Sequence, residues 1–202
     1  TRRFGSSLEK IKQVVDVRDG EIMFGLNMVV HKGKTIFVGD TSVHEYPTSE
    51  QMAEIAISAA RVVKLFGFDP KVAFVSHSTF GQPLTSRTKH IRNAVDILKE
   101  RKVDFEFDGD MQPDVALNPE YEELYPFAKI VGKANILIMP GQHSAAISYK
   151  LMKTIGDTKV IGPLLIGLGL PIEIAPLRSS TSEIINLASI AAYSAKVIDY
   201  KK

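Results

Sequence analysis

Val72-Ala73-Phe74-Val75-Ser76-His77-Ser78-Thr79 is the stretch on which the fold turns. Four consecutive apolar residues, two of them β-branched, read as a strand buried on both faces. A loop of small hydroxyl residues stops that strand, and a helix follows over Ser86 to Lys102, with Ile91, Val95 and Leu98 inward and charges outward. The pattern recurs twice. Ile136-Leu137-Ile138-Met139 leads through His143-Ser144 into a helix from about Ser144 to Ile155. Ile172-Glu173-Ile174-Ala175 leads through Arg178-Ser179-Ser180-Thr181 into a last helix, Ser182 to about Ile198. Each loop offers main-chain N–H groups and hydroxyls at a helix start, where the dipole favours an anion. On one edge of a parallel sheet, three such starts would form a pocket for a phosphate-bearing ligand. Capping is the commoner task of Ser and Thr, and one loop alone would be read that way; three together tip the reading toward a site.

Outward from these segments the chain alternates strands and helices. Leu8, Ile11, Val14 and Val15 fall at helical spacing within residues 8–17. Phe24–Val30 and Thr35–Val38, joined by His31-Lys32-Gly33-Lys34, read as a hairpin. Pro47-Thr48-Ser49-Glu50 starts a helix that runs through about Leu65, with Gly67 ending it. Val103–Phe107 reads as a strand and Asp108-Gly109-Asp110 as a turn; short helical pieces open at Pro113 and at Asn118-Pro119-Glu120. Lys159-Val160-Ile161-Gly162-Pro163 reads as the start of a glycine-rich turn region. The expected architecture is α/β in three layers, a mainly parallel sheet with helices on both faces.

The 202 residues are enough for one large or two small domains. A net charge of +2 without a long basic tract gives no field that calls for nucleic acid or an anionic membrane. No apolar run is long enough to span a bilayer, since Val160 to Ile174 is broken by Gly162, Pro163, Gly167, Gly169 and Pro171. The absence of cysteine excludes disulfides, thiolate metal sites and thiol nucleophiles, and fits a cytoplasmic protein. The first residue is Thr1 rather than Met, which reads as the start of a fragment or of a processed chain.

Most familiar chemistries find no motif. His31, His44, His77, His90 and His143 lack a paired spacing with an acid between them, and Asp108, Asp110 and Asp114 lack the bidentate acid of a calcium loop, so no metal is expected. There is no P-loop and no Gly-x-Gly-x-x-Gly after a strand, and none of Ser76, Ser78 and Ser144 sits in a nucleophile elbow.

Longer motifs carry more. Val75-Ser76-His77-Ser78-Thr79-Phe80-Gly81, Phe105 through Asn118 (with Asp108-Gly109-Asp110-Met111-Gln112-Pro113-Asp114), Ile138-Met139-Pro140 with His143-Ser144 and Ile147-Ser148-Tyr149-Lys150, and Val160 through Leu168 occur in an order that resembles the phosphate acetyltransferase (phosphate acetyl/butyryl transferase) family. Val43-His44-Glu45-Tyr46-Pro47-Thr48 is similar to its divergent branch, the C-terminal domain of large bacterial hybrid malic enzymes. The resemblance runs from Phe24 onward. It implies a fold like that of isocitrate and isopropylmalate dehydrogenases, with two subdomains, a cleft between them, and pairing into a homodimer or higher oligomer. It also implies that residues 1–202 are the C-terminal part of such a domain, with its N-terminal part and the malic enzyme domains lying elsewhere.

Active members move an acetyl group between phosphate and coenzyme A, and share a Ser-Arg pair before the final helix and an acid within it. Here those positions fall on Pro176, Leu177 and Glu183, so the hydroxyl and the guanidinium are absent, and Ala146 replaces an amide usual in the family. The resemblance leaves an anion-binding set: Ser76, Ser78 and Thr79 with Arg87 and Lys89; His143, Ser144, Tyr149 and Lys150; Arg178, Ser179 and Ser180. The expected function is therefore regulatory, with acetyl-CoA or an acyl-phosphate as effector and no cofactor of the chain's own. NAD(P) and a divalent metal would belong to the malic enzyme domain. The alternative is a working phosphate acetyltransferase that uses His77 or His143 as base and Arg178 in place of the lost arginine.

Overall fold

A computed structural model of the chain describes residues 3–198. Helix α1 (Phe4–Val14) precedes a hairpin of β1 (Phe24–His31) and β2 (Lys34–Gly39). Then come α2 (Ser49–Leu65), β3 (Lys71–Val75), α3 (Ser86–Arg101), β4 (Glu106–Met111), a short α4 (Pro113–Leu117) and a 3-10 segment (Pro119–Leu124). The chain closes with β5 (Ile136–Ile138), α5 (Gln142–Ile155), β6 (Thr158–Ile166) and α6 (Thr181–Val197). The strands form one sheet in the order β4-β3-β5-β2-β1-β6. β4, β3, β5 and β2 pair in parallel, whereas β1 is antiparallel to both β2 and β6. Every strand except β1 thus points the same way, and their carboxyl ends share one edge.

Pleating divides the apolar runs between two cores, because successive side chains point to opposite faces. Phe74, Val72, Ile136, Ile138 and Phe37 face α2 and α3 on one side. Ala73, Val75, Leu137 and Val38 face α4 and α5 on the other. Helices on both faces give the expected three layers. A third, smaller core packs Leu8 of α1 against Met23, Leu165, Leu168 and Ile174.

Two aspartates fix the loops at the carboxyl edge. Asp40, directly after β2, is 1% exposed. Its carboxylate accepts from the main-chain N–H groups of Gly25, Ser42, Val43 and His44, and from Nδ1 of His44 at 2.7 Å. Truncating it would strand several buried donors, each worth about 1–3 kcal/mol when unsatisfied. Asp110, wholly buried in β4, accepts from the hydroxyl of Ser78 and from the N–H of Gly81, while its carbonyl takes the N–H of Phe80. It thereby ties the loop after β3 to the neighbouring strand.

Three sequence expectations need correction. Asp108-Gly109-Asp110 is strand rather than turn, and β4 starts at Glu106 rather than Val103. Asp and Gly ordinarily mark turns, but here Gly109 lets β4 lie against Phe74, whose Cβ stands 2.8 Å from where a side chain on Gly109 would begin. The run 159–163 is not a turn region but part of the nine-residue β6. A register shift opposite Leu26 and Met28 accommodates Gly162 and Pro163, and Pro163 is tolerated because β6 is an edge strand.

Ile172–Ala175 is not a strand. Bracketed by Pro171 and Pro176, it runs along the outer edge of β6 and pairs through a side chain: Glu173 Oε2 accepts the N–H of Leu165 at 3.0 Å. Ile174 buries beside α1. A loop that covers an edge in this way protects it from pairing with other chains.

Burial pushes the Glu173 carboxyl up to about 8, only partly opposed by its bond from Leu165. The folded chain therefore holds this proton more tightly than the unfolded chain, whose glutamate titrates near 4.5. Stability is greatest below the unfolded value and declines as pH rises through about 8. Thermal melts from pH 5 to 9 should show that decline, and Glu173→Gln, which keeps an acceptor for Leu165, should flatten it.

Candidate functional site

The strand order separates the three hydroxyl loops. β3 and β6 stand four places apart, roughly 19 Å at ~4.8 Å per spacing. The loop after β3 lies beside β4, whereas the segment before α6 lies beyond the opposite edge. The pocket between α5 and α6 is not lined by the loop after β3, so it is not the single crevice expected for all three loops.

One of the three, the loop at Arg178-Ser179, meets the body of α5, the helix that follows another. A pocket of about 200 Å³ is bounded by Tyr149, Lys150 and Lys153 of α5, by Val160–Pro163 of β6, and by Pro176, Arg178, Ser179, Glu183 and Leu187. Three cations border it. Lys150 and Lys153 fall three apart on α5 and so share a face. Lys150 Nζ lies 5.9 Å from the Tyr149 ring centroid, and Lys153 Nζ donates to Glu183 Oε1 at 2.7 Å. Arg178 is exposed and makes no ion pair among the described residues. Burial pushes the Tyr149 phenol up, so at neutral pH it remains a neutral hydroxyl.

Glu183 is committed to structure. It is the third residue of α6 in a capping box: Ser180 Oγ accepts the N–H of Glu183 at 3.2 Å, and Glu183 Oε2 accepts the N–H of Ser180 at 2.7 Å. The bond from Lys153 and that from the Ser180 main chain bring its carboxyl down to about 2. A carboxylate so well supplied with donors is a weak base and carries no proton at neutral pH.

The other predicted residues lie elsewhere. Ser78 is wholly buried and spends its hydroxyl on Asp110, while Thr79 Oγ1 accepts the N–H of Gln112 at 3.2 Å. Ser76, 6% exposed, lies 3.2 Å from Ser78, oxygen to oxygen. Arg87 packs its guanidinium 5.7 Å from the centroid of Tyr46, and Lys89 is an exposed residue in the first turn of α3. Ser144 Oγ donates to the carbonyl of Gly141, and His143 Nε2 stands 3.5 Å from Glu45. Ser180 is occupied as the α6 cap. Tyr149, Lys150, Arg178 and Ser179 of the predicted binding set border the pocket, together with Pro176 and Glu183. Sequence reasoning missed Lys153, although its i,i+3 spacing from Lys150 was a usable signal, and it missed the wall formed by β6. A larger cavity, about 650 Å³, opens at the opposite sheet edge between the hairpin turn and the end of α5, and holds none of the predicted residues.

A six-stranded α/β sheet carrying a cationic pocket between its fifth and sixth helices places this chain among phosphotransacetylase folds. It superposes with a TM-score of 0.88 on a phosphotransacetylase from Streptococcus pyogenes at 28% identity, covering 96% of this chain and 60% of that one. For the EutD phosphotransacetylase from Staphylococcus aureus the TM-score is 0.84, also at 28% identity, with 94% and 59% covered. The chain belongs to the phosphate acetyl/butaryl transferase family, whose family model matches residues 1–192. It is 45% identical over 195 residues to an NADP-dependent malic enzyme from Rhizobium meliloti, covering 96% of this chain and 26% of that protein. It is 31% identical to a phosphate acetyltransferase from Bacillus subtilis, covering 91% of this chain and 57% of that protein. The chain thus spans about a quarter of the malic enzyme's length and little more than half of the acetyltransferase's. No helix among the described residues is long and apolar enough to cross a membrane.

The depressed pKa of Glu183 gives a test of the pocket's construction. Its contribution to stability is present above the unfolded value of 4.5 and is lost as pH falls toward 2. Acid unfolding followed by circular dichroism should show this loss, and Glu183→Gln should lower stability at pH 7 while leaving stability near pH 2 almost unchanged.

Proposed function

We propose that this chain is a regulatory, phosphotransacetylase-like part of a hybrid, NAD(P)-dependent malic enzyme of the cytoplasm, in which acetyl-CoA or an acyl-phosphate binds as effector. The observation that carries this reading is the pocket's composition. Pro176 lines the pocket and Leu177 follows it in the chain, at the positions of the family's Ser-Arg pair. Lys150, Lys153 and Arg178 remain around them. Proline has no hydroxyl and leucine no charge, whereas acetyl transfer needs a group to activate the thiol and one to stabilise the developing oxyanion. Three cations and a neutral phenol suffice to hold phosphate. In the larger protein the chain would contribute one part of a two-subdomain, dehydrogenase-like unit, with this pocket facing the cleft.

Binding that favours one arrangement of the oligomer shifts its population, with a coupling of about 1–3 kcal/mol. Titrating acetyl-CoA into the full-length protein should lower malate turnover, and Arg178→Ala should raise the concentration needed. Unchanged malate kinetics at saturating acetyl-CoA would overturn the proposal. A second reading, an active phosphate acetyltransferase, is favoured by the position of Arg178 beside the vacated site. In its support a coupled assay would have to show acetyl phosphate formation that disappears in Arg178→Ala.

Assembly is part of the same proposal. Of the seventeen residues of α6 only Leu187 is buried, and Ile184, Ile185, Tyr193 and Val197 are exposed. Ile147, Leu151 and Ile155 of α5 are exposed as well. A second copy covering this apolar surface would account for it. Ile185→Asp should shift the full-length protein toward smaller species in sedimentation velocity, whereas an exposed polar change such as Ser189→Asp should not.

A further inference from the structure

The sheet edge farthest from the pocket carries a second cleft, about 210 Å³, between α3, β4 and residues 125–129. Its walls are the rings of Phe80, Phe107 and Phe127, the cations Arg92, Lys99 and Lys129, and the carboxylates Asp96 and Asp108. Phe127 is 68% exposed yet meets the Phe80 ring edge-on, with centroids 4.9 Å apart. An exposed aromatic held in a fixed orientation offers a face for stacking.

The local backbone is built to present this arrangement. Phe80 has φ +50°, a left-handed conformation uncommon outside glycine, and Gly81 follows at φ +80°. Asp110 holds both in place by accepting their N–H groups, at its carbonyl and its carboxylate respectively. The guanidinium of Arg92 fills the space that a side chain on Gly81 would need. Non-glycine residues persist in this region only when their surroundings over-determine them, and such sites cluster at ligand clamps.

The charges favour an anion. Lys99 is paired with Asp96 at 2.8 Å, and Asp108 is supplied by the N–H groups of Gly109 and Lys129. Arg92 and Lys129 form no side-chain ion pair among the described residues. The volume is below the roughly 300–1,000 Å³ of sites that enclose a whole drug-sized ligand, so the cleft takes one planar ring and leaves the rest of the ligand at its rim.

We propose that this cleft binds a purine mononucleotide, its base stacked on Phe127 and its phosphate held by Arg92 and Lys129. The site is separate from the cationic pocket between α5 and α6, because β4 and β6 stand at opposite ends of the sheet, five strand spacings or roughly 24 Å apart. Adenosine 5′-monophosphate is the probe, titrated by calorimetry into the full-length protein that carries this chain. It should bind about tenfold more weakly to Arg92→Ala and about fivefold more weakly to Phe127→Ala. Lys129→Ala, at an exposed position, serves as a third variant, and inorganic phosphate alone should bind more weakly than the nucleotide. No binding at millimolar nucleotide, equal affinity in all three variants, or equal affinity for inorganic phosphate would each overturn the assignment.

Discussion

Five donors converge on the carboxylate of Asp40, and the placement of the candidate pocket follows from them. The main-chain N–H groups of Gly25, Ser42, Val43 and His44 tie the start of β1 to the loop after β2, and the His44 ring closes the cluster. That loop in turn seats α5: the N–H of Gln142 donates to the carbonyl of His44, and Gly141 passes against the carbonyl of Glu45 where no side chain would fit. The direction of α5, and with it Tyr149, Lys150 and Lys153, is thus set one strand away. Asp110 performs the matching task for the loop after β3. A Gly-Asp pair supplies the acid each time, Gly39-Asp40 at the end of β2 and Gly109-Asp110 within β4, and in both the acid satisfies main-chain donors that a buried loop could not leave unpaired.

This internal use of polar groups separates residues that hold the fold from residues free to meet a ligand. The hydroxyl of Ser78 and the carboxylate of Glu183 have protein partners within hydrogen-bond reach, so neither is at rest awaiting a substrate. Arg178 and Lys150 are not so engaged. The pocket retains positive charge, while Pro176 on its wall offers no hydroxyl and Leu177 beside it no charge. Binding and chemistry are separable demands: phosphate recognition needs fixed positive charge, whereas acyl transfer needs stabilisation that grows in the transition state.

Much of the fold was legible because periodicity survives without tertiary information. The alternate burial of Val72 to Val75, the Pro47-Thr48 helix start and the Ile91, Val95, Leu98 stripe follow from side-chain spacing alone. The failures share one cause. Asp108-Gly109-Asp110 and Gly162-Pro163 carry turn residues, yet both lie in strands, because close packing against Phe74 and a bulge opposite Leu26 demand glycine there. Ile172–Ala175 has a strand's composition but lies past the sheet's last ladder, where a glutamate side chain replaces the main-chain bond. The grouping of the loops was not legible at all, since strand order is a property of the assembled sheet. The capping box of Ser180 and Glu183 was readable from spacing, and it shows that Glu183 serves the helix.

Helix α6 is fastened to the molecule lightly. The buried Leu187 and half-buried Ile190, the Lys153–Glu183 bridge at its start and the Tyr193 hydroxyl on the carbonyl of Leu65 near its end hold its seventeen residues against the sheet. A segment with so few buried contacts opens at lower free energy than the sheet beside it. Its amides should therefore trade hydrogen with solvent through local excursions rather than global unfolding. Anything lodged between α5 and α6 would suppress those excursions, and the helix would then report occupancy to whatever surface rests on its apolar side.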